Sequence, residues 1–194
     1  MRNPTRVLQL LVTTSPGGGP KQVYDLVRYL PKEEFEIVIA APRDGVFFGR
    51  FQELGVRMME LPIRRLGVRH FLSTVRLIRS LGIQIVHTHG KGPGLYGRLA
   101  AWWTGVPVVH TFHGIHYRDY PRLGQALYLA MERVLSQLTH TIINVSASQE
   151  AEGLSLRLSR SRQSRRSSVP RCLRRIGSGC PFQDPWPRQF RPRA

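Results

Sequence analysis

Five histidines, His87, His89, His110, His113 and His116, fall within a thirty-residue stretch, and all seven in the chain precede residue 157. Imidazole exchanges a proton near neutral pH and is a common zinc ligand, so such a cluster could serve acid–base chemistry or hold a metal. The metal reading fits poorly. Both cysteines, Cys172 and Cys180, lie far downstream, there is no His-Glu-x-x-His spacing, and Asp119 is the nearest carboxylate. No metal and no cofactor is expected. His87 and His110 sit inside apolar runs and read as core histidines satisfied by hydrogen bonds. His113, in Thr111-Phe-His-Gly114, follows such a run and precedes a glycine that permits close approach. It is the candidate catalytic residue, able to accept or share the proton of a substrate hydroxyl near neutral pH.

A second feature is Gly17-Gly18-Gly19, between an apolar run and a segment of helical period. A glycine turn there lets the backbone approach a ligand, and the helix N-terminus behind it offers unpaired N–H groups suited to phosphate. The dinucleotide fingerprint is not met, because the position three after Gly19 is Gln22, and the Walker pattern is absent. The loop is expected to face phosphate or substrate.

The elements that must position these residues follow from periodicity. Apolar runs of strand length occur at Arg6–Thr13, Phe35–Ala41, Val56–Leu61, Ile83–His87, Val106–Phe112 and Thr141–Val145. Helical spacing lies between them: Val23 to Leu30, a short piece near Val46–Leu54, Phe71 to Leu81, Leu95–Trp103 and Leu123–Leu138. Short strands apolar on both faces, alternating with helices, predict an α/β Rossmann-like parallel sheet with helices on both faces. In such sheets ligands lie beyond the C-terminal strand ends. The polar candidates gather at those ends: Thr13–Gly19, then His87–Lys91 with His89, Gly90 and Lys91, then His110–Tyr117 with His113 and Gly114, then Ser146 and Ser148.

The net charge of +17 points at first to an anionic partner. Residues 157–194, however, hold eleven arginines, no lysine and one acid, Asp184, which gives +10 and leaves +7 for the rest. Residues 1–156 are therefore read as one domain. Residues 157–194, rich in Arg, Ser and Pro and without sustained period, are read as a disordered tail. No run approaches membrane-span length, and the apolar stretch Val7 to Val12 is too short for a signal-peptide core, so a cytoplasmic protein is expected.

Taken together, Gly17-Gly18-Gly19, His87-Thr-His-Gly90, Gly94-x-x-Gly-Arg98, His110-Thr-Phe-His-Gly114 and Asn144-Val-Ser-Ala-Ser148 resemble the family 4 glycosyltransferases, over about Arg6 to Leu158. The likeness is to the N-terminal half of a GT-B enzyme, in which two Rossmann-like domains face each other across a cleft. It implies transfer of a sugar from a nucleotide-sugar donor to a glycan or lipid-linked acceptor, with retention and without a metal. It also implies that the glycine loop lies near donor phosphates or acceptor, that His113 lies near the transferring sugar, and that this half mainly holds the acceptor. The chain departs from the family in lacking the C-terminal donor-binding domain with its Glu-x7-Glu segment. It is thus expected to be truncated and inactive alone, with residues 157 onward read out of frame; a short protein paired with a separate donor subunit is the alternative. Arg64, Arg65, Arg69, Arg118 and Arg122 flank apolar residues and predict peripheral contact with the inner face of a membrane. The competing function is a basic nucleic-acid-binding protein acting through the arginine tail. Its aromatic residues, Phe182, Trp186 and Phe190, lie beyond most of the arginines, so no specific nucleic-acid partner is expected.

Overall fold

Runs rich in Val, Ile and Leu favour the extended backbone, and when buried on both faces they pair side by side in parallel. The computed structural model describes residues 3–61, 67–115, 117–159 and 163–166. The elements alternate as β1 (Thr5–Leu10), α1 (Gly18–Tyr29), β2 (Phe35–Ala41), α2 (Val46–Glu53), β3 (Arg57–Glu60) and α3 (Val68–Ser80). They continue as β4 (Ile85–His89), α4 (Lys91–Thr104), β5 (Val108–Phe112), α5 (Arg122–Gln137), β6 (Thr141–Asn144), α6 (Ala147–Ser155) and β7 (Ser164–Arg166). All strands pair in parallel in the order β3-β2-β1-β4-β5-β6-β7. The chain runs outward from β1 to β3 and then returns to place β4 on the other side of β1. That reversal makes the β1–β4 boundary the switch point where such sheets bind ligands.

Side chains alternate between the two faces of the sheet. Val7 and Ile85 meet Leu26 of α1 and Leu30, its C-cap, while Leu11 and Ile39 meet Val23 of α1 and Phe47 and Phe51 of α2. On the opposite face Leu8, Leu10 and Val86 pack on Val75 and Ile78 of α3 and Ala100 and Ala101 of α4, and Phe112 and Ile142 meet Tyr128 of α5. α4 lies against the strands with almost no gap: a Cβ at Gly97 would come within 2.6 Å of Leu10 Cδ1. Its end is set by Gly105, whose φ of 70° gives the left-handed cap that stops a helix.

The structure differs from the sequence reading in several places; β1 closes at Leu10 rather than Thr13, and β5 opens at Val108 rather than Val106. The fourth strand runs two residues later than Ile83–His87, because His87, Thr88 and His89 each find a side-chain hydrogen-bond partner inside the sheet. Helix α6 forms where the periodicity fades. The sheet also takes a seventh strand beyond residue 156, where the sequence reading closes the domain: Ile142 pairs with Ser164, and Leu158 and Ser159 are buried. Residues 167–194, the rest of the expected tail, lie outside the described residues.

Candidate functional site

The loop after β1 is clamped before it reaches the glycines. Asp44 accepts from Thr13 Oγ1 at 2.8 Å, from the Thr14 backbone N–H at 2.7 Å and from Thr14 Oγ1 at 2.9 Å. Ser15 Oγ donates to the Asp44 carbonyl at 2.9 Å. Gly45 passes so close to the Ser15 backbone that no side chain fits there. Held in this way, Gly17 caps α1, and Gly18 and Gly19 form its first turn, with Pro20 next. A glycine cap supplies no side-chain oxygen, so the first N–H groups of the helix remain open to an anion.

Beneath that turn lies a layer of polar rings. Gln9, His87 and Thr111 occupy one face of β1, β4 and β5, with His89 one step further along β4. His87 Nε2 and Thr111 Oγ1 are 2.7 Å apart, and the His87 and His89 rings lie tilted against each other with centroids 4.1 Å apart. His89 Nε2 lies 2.8 Å from Gln9 Oε1, and its Nδ1 lies 3.1 Å from His113 Nε2. His113 reaches up to the glycine turn, where a Cβ at Gly19 would stand 3.5 Å from Nε2. Burial lowers His113 to about 4, and burial followed by the proximity of His113 lowers His87 to about 3. Burial foremost, then the neighbouring histidines, hold His89 well below the usual range. At neutral pH these rings are uncharged. The His113 imidazole is therefore neutral at pH 7, with a lone-pair nitrogen able to accept a hydrogen bond rather than one poised to hold a second proton.

On the opposite face a cavity of about 300 Å³ opens between the ends of β1, β4 and β5 and helix α5, lined by Val12, Gly90, Lys91, His110, Phe112, His113, Gly114, Tyr128 and Glu132. Glu132 and Arg98, both fully buried, form an ion pair of 2.7 Å, and Arg98 Nε donates to the Gly94 carbonyl at 2.6 Å. Lys91 lies over the rings of Tyr120 and Tyr128, 4.7 and 5.2 Å from their centroids. Burial, then the Glu132 carboxylate, raise Tyr128, so its hydroxyl stays protonated as a donor. An arrangement with a carboxylate, a phenol, a neutral imidazole and apolar walls suits a polyhydroxylated ligand.

The structure brings His89 and His113 into hydrogen-bond reach, with Gly19 close enough that a Cβ there would touch the His113 ring, and places Gly90, Lys91, His113 and Gly114 around the cavity. Gly90 and Gly114, at φ values of 75° and 131°, adopt backbone that only glycine takes readily. Gly17 and Gly18 stand at the open end of α1. Ser146 and Ser148 are engaged locally instead. Ser146 Oγ accepts from the Gln149 N–H as the cap of α6 and lies 2.9 Å from Ser148 Oγ. His110 is held by Thr88 at 2.8 Å and, like His87, is a buried, hydrogen-bonded histidine. His116 lies outside the described residues. No group of three or more His, Cys, Asp or Glu is placed to hold a metal among the described residues. Sequence reasoning missed Gln9, the Asp44 clamp, Glu132 and the Lys91–tyrosine pairing. A glutamine inside an otherwise apolar strand was the one available signal.

With this geometry in view, comparison with known proteins settles the family. A family model described as Glycosyltransferase Family 4 matches residues 16–164, ending on the first residue of β7. The chain belongs to that family. A family 4 chain of this kind is 32% identical over 100 residues to the UDP-Gal:alpha-D-GlcNAc-diphosphoundecaprenol alpha-1,3-galactosyltransferase of Escherichia coli, an alignment covering 48% of this chain and 26% of that enzyme. Among solved structures, Anabaena Alr3699/HepE in complex with UDP and glucose matches with a TM-score of 0.67 at 12% identity, over 84% of this chain and 43% of that one. A glycosyltransferase from Rickettsia africae ESF-5 matches with a TM-score of 0.67 at 19% identity, over 85% of this chain and 43% of that one. The chain thus spans less than half the length of these relatives, and at such identities the structures show a shared fold. No helix among the described residues is long and apolar enough to cross a membrane.

Proposed function

We propose that this chain is the acceptor-side half of a retaining glycosyltransferase that moves a sugar from a UDP-linked donor to a lipid-linked diphosphate acceptor, without a metal, at the cytoplasmic face of a membrane. In that transfer the bond from the sugar's anomeric carbon to phosphate breaks and one to an acceptor hydroxyl forms. The hydroxyl proton leaves with the nucleoside diphosphate. The observation that carries the reading is the contact of His113 with His89 beneath the glycine turn at the switch point, beside a cavity of about 300 Å³. The E. coli relative's name supplies the donor and acceptor classes.

In this reading the open N–H groups of Gly17, Gly18 and Gly19 face donor phosphate. His113 meets a sugar hydroxyl, with His89 behind it. Gly90, Lys91 and Gly114 border the acceptor, and Ser146 and Ser148 stand at the neighbouring strand end. Alignment of donor and acceptor needs both halves of such an enzyme, so the 194-residue chain is expected to be inactive alone.

Calorimetry with UDP-galactose and UDP-glucose tests this. Binding by the chain alone should be no tighter than millimolar, about −4 kcal/mol. In an enzyme with both halves, His113→Ala should lower turnover about 10²-fold while leaving the melting temperature nearly unchanged. Micromolar donor binding by the 194-residue chain, or full turnover by the variant, would contradict the proposal.

A lipid-linked acceptor also gives meaning to the outer faces of α3, α4 and α5. Val68, Leu72, Trp102, Trp103, Leu123, Leu127 and Val134 are exposed there. Arg69, Arg76, Arg79, Arg122 and Arg133 lie on the same helices, and the single acid of the three, Glu132, is buried against Arg98. Exposed tryptophans among arginines with no opposing acid suit an anionic lipid surface. Of the arginines expected to contribute, Arg64 and Arg65 lie outside the described residues.

A further inference from the structure

We infer that Gln9 acts through His89 as a positioning residue for His113, so that His113 carries its proton on Nε2 and presents Nδ1 as a bare acceptor. The inference follows from donor and acceptor accounting along one chain of contacts. Gln9 Oε1 lies 2.8 Å from His89 Nε2, and His89 Nδ1 lies 3.1 Å from His113 Nε2. A neutral imidazole has one N–H and one lone-pair nitrogen. A carbonyl oxygen only accepts, so His89 must donate to it from Nε2. That leaves a lone pair on His89 Nδ1, which can only accept, so His113 must donate from Nε2. Its remaining nitrogen, Nδ1, has no hydrogen-bond partner among the described residues.

Two observations keep the chain in one polarity. Burial keeps the rings neutral at physiological pH, and a second proton on either ring would erase the distinction. The Gln9 side chain is also fully enclosed, with His87 as its neighbour across the β1–β4 ladder. Its Oε1 is matched to His89, whereas its Nε2 has no hydrogen-bond partner among the described residues. Gly19 lies beside the His113 ring, where a Cβ would come into van der Waals contact with Nε2 at 3.5 Å.

The consequence is a rule about ligand chemistry, and this step rests on the transferase reading above. A bare imidazole nitrogen accepts from a hydroxyl or an N–H and repels a phosphate oxygen. His113 therefore recognises a sugar hydroxyl, while phosphate is left to the glycine turn.

The test is a long-range ¹H–¹⁵N correlation spectrum of the labelled 194-residue chain near neutral pH, with the His113 signals identified by their loss in His113→Gln. His113 should show a protonated Nε2 and an unprotonated Nδ1, and His89 the same tautomer. Gln9→Leu removes the acceptor and should make both tautomers of His113 visible. A proton on His113 Nδ1 in the parent chain, the result of a reversed Gln9 amide, would overturn the inference. So would an unchanged single tautomer in Gln9→Leu. If Gln9→Leu fails to fold, the parent spectrum still decides. None of these spectra depends on donor binding, so failure of the transferase reading leaves the tautomer result standing.

Discussion

A histidine held neutral by burial ties folding to acid. Unfolded histidine titrates near 6.5, whereas folded His113 and His87 titrate at about 4 and about 3. Between those values the unfolded chain binds more protons, so this contribution is complete above about 6.5 and is lost as pH falls through about 4 and then 3. Melting temperature should therefore fall between pH 7 and pH 5, and less steeply in His87→Gln; a flat profile over that interval would contradict the burial of the rings. Glycines make a second prediction at this scale. A Cβ at Gly97 would strike Leu10, whereas one at Gly49, inside α2, would meet nothing within 4 Å. Urea denaturation should show Gly97→Ala losing about 1–3 kcal/mol and Gly49→Ala gaining about 0.5–1 kcal/mol. Equal effects would mean that α4 does not lie as close to the sheet as described.

Between elements, the ion pair of Arg98 and Glu132 ties α4 to α5 across the wall of the cavity. Removing one member leaves a buried charge without its partner, so Glu132→Ala should cost about 3–5 kcal/mol in chemical denaturation, whereas Arg98→Met with Glu132→Leu should restore most of it. A loss below about 1 kcal/mol would show the pair to be solvated. This pair also marks the limit of what the sequence discloses. Alternating apolar runs announce the parallel sheet and put His89, Gly90, His113 and Gly114 at strand ends, because burial on both faces leaves a local, periodic trace. Gln9, Arg98 and Glu132 are polar residues within apolar patterns, and each is explained by a partner 34 or 80 positions away that no local pattern reveals. The fourth strand reads two residues early for the same reason. Its His-Thr-His end looks like a loop until Gln9, His110 and Thr111 are seen to satisfy it.

At the scale of the whole molecule, the three-helix face makes a prediction separable from the arginine-rich segment. The chain should sediment with vesicles containing anionic lipid at low salt and be released at high salt. Trp102→Ser with Trp103→Ser, which leaves every arginine in place, should reduce recovery; unchanged recovery would assign binding to the basic segment alone. The strand order has a further consequence, for synthesis. β1 pairs on one side with β2, some thirty residues later, but its other edge waits for β4, with Val7 opposite Ile85. A nascent chain that has released only β1 to β3 thus exposes, at the middle of the future sheet, an unpaired strand apolar on both faces. Such an edge recruits other chains or chaperones. Fragments ending before residue 85 should be captured by a holdase and cut readily by protease, and those extending past residue 112 should resist. The bond between Gln9 and His89 is then a molecular record that the two halves of the sheet have met.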